Sequence, residues 1–170
     1  TIIINHYHSP YHSDNILDNI FYPYTSQIIE SIDEFEFLRD SLGKVNLKML
    51  FNSDIHGDFS KDFTKMTTKR NILLLVKTSK GNRFGGYTSH NFSPVSAGLT
   101  HNDIDIIKSD PCSFLFNLDS KKIYEIDDPR YALSCDYYSN AIFGENDLSI
   151  PNKFFTNFGI SKFPQSYGKD

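Results

Sequence analysis

One hairpin-like stretch constrains the fold of this chain more than any other feature. Residues 72–76 are a run of five aliphatic side chains, residues 79–82 (Ser-Lys-Gly-Asn) have the composition of a turn, and residues 83–89 continue as a second strand. A short apolar run beside turn residues is typical of a buried strand, and the short connection predicts antiparallel pairing. We therefore expect an antiparallel sheet at the centre of the fold.

Further short segments extend this prediction to two sheets. Phe114, Phe116 and Leu118 alternate along one segment, so we expect them to share one face of a strand that is covered on both sides. Many short strands with regular turns favour two packed antiparallel sheets. The predicted fold class is α+β and mainly β, a β-sandwich flanked by short helices. The strand candidates are bounded by Asn, Asp, Gly or Pro and comprise residues 47–51, 113–118, 122–126, 132–135, 141–143, 148–150 and 157–160.

Two helices are predicted beside these strands. Ser31 and Glu34 have the spacing of a capping box, which predicts a helix over residues 32–42. Ser60 is expected to cap a second, shorter helix that carries Phe63.

Composition excludes several classes of function. With 17 Lys and Arg against 21 Asp and Glu, the chain carries a net charge of −4, which is not the balance of a nucleic-acid binder. The longest apolar run is far shorter than the ~18 residues that a membrane-spanning helix needs. Cys112 and Cys135 are too few for a disulfide scaffold and lack paired C-x-x-C spacing. We expect a cytoplasmic protein with reduced thiols, without nucleic-acid binding or direct membrane insertion.

The first 26 residues are rich in His and Tyr and are interpreted as an arm or linker that precedes a domain over residues 27–170. His6, His8 and His12 are the candidates there for a transition-metal site. No nearby cysteine or carboxylate completes a convincing ligand set, so solvated histidines are the preferred interpretation. We predict no metal site.

No set of residues has the pattern of a catalytic site. Neither cysteine lies in a nucleophile motif, and Ser89 and His90 are neighbours on a strand, where adjacent side chains point to opposite faces. Residues 81–86 lack the strand, glycine loop and helix order of a phosphate-binding loop. We therefore predict neither catalytic residues nor a cofactor.

Several segments, taken in their order along the chain, resemble the TLDc domain: residues 47–51, 72–78 and 109–111, and four groups of motif residues. The resemblance covers roughly residues 27–164, and its order and spacing are more specific than any single group. The groups are Asp58, Phe59 and Phe63; then Phe84, Gly85, Gly86 and Tyr87; then Phe114 and Phe116; and finally Phe143, Gly144, Asp147 and Leu148.

Several of these motif residues have predictable structural roles. Gly85 and Gly86 interrupt a strand, which indicates either a bulge or a place where another group approaches the backbone closely. Gly144 is expected to permit a tight turn. The Asp147 carboxylate is expected to accept hydrogen bonds from turn amides before Leu148 enters a strand.

The chain also departs from the family pattern. It contains no tryptophan, and Phe92 stands where many members have one shortly after the Gly-Gly-Tyr strand. The family's closing strand region is not recognisable after Pro164. This pattern indicates a truncated chain, in which an edge strand is exposed unless another segment covers it, and the apolar residues 1–5 are the candidate for that cover.

The resemblance implies a function in protection against oxidative stress. Some members of the family bind the peripheral, cytosolic sector of the vacuolar proton ATPase and influence its assembly. We therefore expect a non-catalytic interaction and regulatory domain, recruited to the cytosolic face of an organelle through its protein partner. The alternatives are a thiol-dependent antioxidant enzyme and a targeting or scaffold module of a larger protein.

Overall fold

The computed structural model describes residues 2–8, 28–43, 46–92, 106–135 and 139–169. Within these residues ten strands form two antiparallel sheets, which confirms the predicted class. The larger sheet has the order β2-β1-β3-β4-β6-β7, and the smaller has the order β10-β9-β8-β5. The strands are β1 (Ile2–His8), β2 (Asn46–Asn52), β3 (Ile72–Lys77), β4 (Arg83–Thr88), β5 (Ile106–Lys108), β6 (Phe114–Asn117), β7 (Lys122–Glu125), β8 (Leu133–Cys135), β9 (Ser139–Phe143) and β10 (Leu148–Pro151).

Short helices flank the sheets. They are α1 (Ile32–Leu42), α2 (Ser53–His56) and α3 (Ser60–Met66), with a 3-10 turn at Pro129–Tyr131. The predicted cap of α1 is confirmed, because the Ser31 hydroxyl accepts a hydrogen bond from the Glu34 amide at 3.2 Å. The predicted cap of α3 is wrong. Phe59 occupies the cap position, and Ser60 is already helical, with its amide donating to Asn152 Oδ1 at 2.8 Å.

Apolar side chains cover both faces of the larger sheet. Leu115 of β6 belongs to the core between the two sheets, whereas Phe114 and Phe116 belong to the core beneath α1. This division confirms the predicted alternation. The core between the sheets includes Phe51, Phe63, Ile72, Leu74, Phe92, Leu115, Leu133, Phe143, Ile150 and Tyr167, and the core beneath α1 includes Ile28, Phe35, Leu38, Leu73, Leu75, Phe114, Phe116 and Leu118.

The beginning of the chain differs from the predicted arm. Strand β1 lies inside the larger sheet, where Ile3 is opposite Asn52 of β2 and opposite Leu75 of β3. Three successive β-branched isoleucines favour this extended conformation, and pairing on both sides satisfies the backbone groups. Residues 2–5 therefore lie inside the larger sheet and do not cover an edge, while residue 1 and residues 9–27 lie outside the described residues.

The paired glycines of β4 mark a close approach. The register of β4 with both neighbouring strands is continuous, so the bulge alternative is wrong. A Cβ on Gly85 would collide with the Leu74 carbonyl oxygen and lie 2.6 Å from the Phe116 ring. A Cβ on Gly86 would lie 2.8 Å from the ring of Phe143 in the smaller sheet. Glycine at these positions allows the two sheets and their side chains to pack together.

The turn between β9 and β10 agrees with the prediction for Gly144 but differs from it for Asp147. Gly144 has a φ of 62°, which confirms the tight turn. The Asp147 carboxylate, however, accepts hydrogen bonds from the amides of Gln165 and Ser166. This buried carboxylate thus holds the C-terminal segment against the smaller sheet.

Candidate protein-interaction surface

Large apolar side chains are exposed on the loop that follows β10. We call residues 152–160 the aromatic loop. Phe158 is 93% exposed, and Phe155 and Ile160 are each more than half exposed. Phe59, just before α3, is half exposed beside them. Single apolar residues scattered over a surface are common in soluble proteins. A cluster of exposed apolar residues, in contrast, is typical of an interaction site.

A backbone turn, and not a strand, gives the aromatic loop its shape. Lys153 has a φ of 54°, and its carbonyl oxygen accepts hydrogen bonds from the amides of Thr156 and Asn157. The predicted strand over residues 157–160 is therefore wrong. The loop rejoins the sheet at Ile160, which forms an isolated bridge with Ser149.

The motif residue Asp58 fixes the base of the loop. Its carbonyl oxygen accepts a hydrogen bond from the Lys153 amide at 2.9 Å, and its carboxylate accepts one from the Phe155 amide at 3.1 Å. The Lys153 ammonium lies 5.5 Å from the centroid of the Phe59 ring, within the range of a cation–π contact. The loop is thus held by hydrogen bonds on one side while its apolar side chains face outward.

A groove of about 710 Å³ runs between the aromatic loop and the ends of β3 and β10. This volume falls within the ~300–1,000 Å³ typical of ligand-binding clefts, which is enough for a few side chains of a bound partner. Its lining includes Val76, Thr78, Phe84, Ile150, Phe154 and Phe158. We call Phe59, Phe155, Phe158 and Ile160, together with this groove, the aromatic surface.

Removing the exposed rings should leave the fold intact. The double variant Phe155→Ser/Phe158→Ser is expected to change the free energy of unfolding by less than about 0.5 kcal/mol per site, because exposed side chains contribute little burial. Urea unfolding followed by circular dichroism measures this. A loss of several kcal/mol would show that the two rings belong to the core and would remove the aromatic surface as a candidate site.

The buried carboxylate of Asp110 accepts hydrogen bonds from groups within the fold. Asp110 is 1% exposed and accepts hydrogen bonds from the Thr88 hydroxyl at 2.7 Å, the Ser89 amide at 2.7 Å and the Cys112 amide at 3.1 Å. Cys112 itself is exposed in the turn that Asp110 forms. These bonds tie β4 to the start of β6, so Asp110 has a structural role.

Tyr167 anchors the C-terminal segment in the core between the sheets. Its hydroxyl donates to the Ala132 carbonyl oxygen at 2.8 Å and lies 2.7 Å from the Ser113 hydroxyl. Burial raises the pKa of Tyr167, so the phenol stays protonated. The amide of its neighbour Ser166 donates a hydrogen bond to the Asp147 carboxylate at 2.8 Å, so polar contacts fix this part of the segment as well.

Arg83, at the start of β4, forms another polar cluster, and Lys77 of this cluster also lines the groove. The Arg83 guanidinium makes a bidentate pair with Glu34 at 2.8 and 3.0 Å, bonds Asp119 at 2.8 Å and donates to the Ile28 carbonyl oxygen at 3.1 Å. Glu30 lies 3.3 Å away and also pairs with Lys77 at 2.7 Å. The cluster joins α1 and the segment before it to the larger sheet.

Acid should weaken the Arg83 cluster. The Arg83 amide and guanidinium lower the pKa of Asp119, and Lys77 and Arg83 lower the pKa of Glu30. Because the folded pKa lies below the unfolded value of about 4, the stabilisation is present above that pH and is lost as pH falls through the folded pKa. We expect the unfolding free energy to fall less steeply below about pH 4 in Asp119→Asn than in the unsubstituted chain. Parallel profiles would contradict this.

Most predicted motif residues lie in the core. Phe84 and Tyr87 are partly buried, Asp58 is half-buried, and Phe59 belongs to the aromatic surface. The buried ones are Phe63, Gly85, Gly86, Phe114, Phe116, Phe143, Gly144, Asp147 and Leu148. Phe155 and Phe158 were missed in the sequence analysis. A signal was present, because residues 154–163 contain four phenylalanines and do not alternate between polar and apolar, as a half-buried strand would.

The side chains of the three histidines considered as metal ligands lie outside the described part of the structure. His6 and His8 belong to β1, where the backbone alone is described, and His12 lies outside the described residues. In the described part of the chain, no three His, Cys, Asp or Glu side chains cluster in a way that could hold a metal ion. Within the same residues, no helix has the length and apolar character needed to cross a membrane.

The fold and the surface together define a mainly β domain of two antiparallel sheets that displays an apolar loop at one end. The family model for the TLDc domain matches residues 13–169. The chain belongs to the TLDc domain family, and the match begins upstream of the predicted boundary at residue 27. A search among curated proteins found no match to this chain.

Proposed function

We propose that this chain is a non-catalytic TLDc interaction domain with a role in resistance to oxidative stress. We further propose that its partner is the peripheral, cytosolic sector of the vacuolar proton ATPase, and that the aromatic surface is where the partner docks. The observation that carries the proposal is the display of Phe155, Phe158 and Ile160 on a hydrogen-bonded loop that is fixed by the family-motif residue Asp58.

Aromatic side chains at a surface contribute strongly to protein association. Phe, Tyr and Trp are enriched in the buried centres of interfaces, where a few residues supply most of the binding free energy. The hydrogen bonds of Lys153 and Asp58 restrain the loop before binding. A restrained loop loses less conformational entropy when the partner docks, which supports its role as a binding element.

The arrangement of acidic groups supports a non-catalytic role. Asp110 and Asp147 are buried, and each accepts hydrogen bonds from backbone amides, as structural carboxylates do. Among the described side chains, Cys112 is the exposed thiol on which the thiol-dependent alternative would depend. If the purified domain consumed hydrogen peroxide faster than its Cys112→Ser variant with a regenerating thiol reductant present, the non-catalytic proposal would be overturned.

Affinity capture tests the partner. The domain serves as bait in native cytosol, and the peripheral ATPase subunits recovered are quantified by mass spectrometry. We expect recovery with the unsubstituted domain and with Ile107→Ser, which removes an apolar side chain on β5 that is about as exposed as Phe155. We expect none with Phe155→Ser/Phe158→Ser.

Two results would reject the proposal in different ways. Failure of the folded, unsubstituted domain to recover the subunits would remove this ATPase as the partner. Equal recovery by Phe155→Ser/Phe158→Ser would keep the partner but remove the aromatic surface as the binding site.

A further inference from the structure

The segment that carries the aromatic surface has an unusual charge. Residues 148–169 contain Lys153, Lys162 and Lys169 and no acidic residue, although the chain as a whole has a net charge of −4. The segment that carries the aromatic surface is therefore positively charged within an acidic protein.

The lysines beside the loop are available for a partner. Among the described residues, neither Lys153 nor Lys162 makes an ion pair, in contrast to Lys77, which lines the groove and pairs with Glu30 at 2.7 Å. The nearby carboxylate of Asp58 accepts a hydrogen bond from the Phe155 amide. Lys162 is exposed two residues after Ile160, and its amide is held by the Asn146 carbonyl oxygen at 2.8 Å.

We infer that the aromatic surface binds an acidic protein segment. Such a segment has Asp or Glu residues on either side of one or two large apolar side chains. The apolar side chains enter the groove and contact Phe158, and the carboxylates pair with Lys153 and Lys162. This inference rests on the proposed role as an interaction domain, but it specifies the chemistry of the bound segment and does not depend on the ATPase being the partner.

The concave shape and the range of electrostatic forces favour a short protein segment. Charges are screened beyond roughly 8–10 Å at physiological ionic strength, so a short segment interacts mainly with the nearby lysines. A nucleic acid or an anionic membrane presents negative charge over a much larger distance and meets the negative remainder of the domain as well. A groove of about 710 Å³ also accepts inserted side chains, which a flat bilayer surface does not supply.

Peptide selection tests this inference directly. A library of random twelve-residue peptides displayed on phage is selected on the purified domain. We expect enrichment of peptides that combine Asp or Glu with Phe, Leu, Ile or Met. The charge-reversed variant Lys153→Glu/Lys162→Glu is expected to select Lys- or Arg-containing peptides instead.

A matched variant controls for overall charge. Lys65→Glu/Lys69→Glu makes the same change in net charge at two exposed lysines that lie outside the segment 148–169. We expect it to select the same acidic peptides as the unsubstituted domain. For one selected peptide measured by fluorescence anisotropy, Lys153→Glu/Lys162→Glu should raise Kd at least about tenfold, whereas the matched variant should change it little.

Three results would overturn the inference. One is selection of peptides without acidic residues, and another is a charge preference that does not reverse in Lys153→Glu/Lys162→Glu. The third is the absence of selected peptides while the domain sediments with phosphatidylserine-containing vesicles or binds a single-stranded oligonucleotide. Because the ATPase is absent from these assays, failure here is distinct from failure of the capture experiment.

Discussion

Gly85→Ala is expected to lower the free energy of unfolding by at least about 3 kcal/mol, the upper part of the range for overpacked cores. The added methyl group would collide with the Leu74 carbonyl oxygen and lie 2.6 Å from the Phe116 ring. The first group is backbone in the adjacent strand and cannot rotate away, so the central pair of strands must separate locally. Urea unfolding followed by circular dichroism measures the loss.

Gly81→Ala is the matched control for Gly85→Ala. Gly81 has a φ of 88°, but a methyl group there would meet nothing within 4 Å. This variant therefore measures the cost of the left-handed backbone alone, roughly 1–2 kcal/mol. If Gly85→Ala were no more destabilising than Gly81→Ala, the close approach between β4 and its neighbours would not limit the residue at position 85.

Arg83→Met should destabilise the domain by about 3–5 kcal/mol, the cost of leaving one member of a buried ion pair without its partner. Glu34 is only 8% exposed, and Arg83 supplies its bidentate contact. The variant also leaves the Ile28 carbonyl oxygen without its guanidinium donor. Chemical unfolding at neutral pH measures the effect.

Two comparisons separate burial from charge in this prediction. Arg130→Met removes an exposed arginine whose pair with Asp128 is equally short, 2.7 Å, and should cost at most about 1 kcal/mol. Adding Glu34→Gln to Arg83→Met removes the unpaired charge and should restore part of the lost stability. Equal effects of Arg83→Met and Arg130→Met would contradict a special role for the buried cluster.

Local signals in the sequence predicted the local structure well. The capping residues Ser31 and Glu34 predicted α1 with the bounds that the structure shows, because capping depends on residues three positions apart. The aliphatic run and turn around residues 72–89 predicted the β3–β4 hairpin, because a short turn pairs the two segments that it connects. Gly85 and Gly86 indicated a close approach, although the sequence left a bulge open as an alternative.

Contacts between distant parts of the chain could not be predicted in this way. Strand β1 pairs with β2 and β3, which lie some forty to seventy residues further along, and no local pattern specifies such partners. The amides that Asp147 binds belong to Gln165 and Ser166, in a segment whose path the sequence does not indicate. The local sequence pattern therefore predicted correctly that the Asp147 carboxylate accepts hydrogen bonds from backbone amides. It did not predict that these amides belong to the C-terminal segment.

The aromatic surface was missed for a similar reason. Residues 157–160 have the local pattern of a short strand. No local pattern shows whether their side chains are exposed, because exposure depends on what the rest of the fold places over a segment. In the structure Lys153 turns the backbone, and Asp58, nearly one hundred residues earlier, holds the loop with Phe158 facing outward. Asp58, which carries part of the family resemblance, thus positions this surface, and its neighbour Phe59 belongs to it.

The most direct test of the proposed function is a binding measurement with purified components. The peripheral sector of the vacuolar proton ATPase is immobilised, and binding of the domain is followed by biolayer interferometry. We expect saturable binding by the unsubstituted domain and by Ile107→Ser, and a Kd at least about tenfold higher for Phe155→Ser/Phe158→Ser, corresponding to about 1.4 kcal/mol. Equal binding by all three proteins, or no binding by the folded unsubstituted domain, would contradict the proposal.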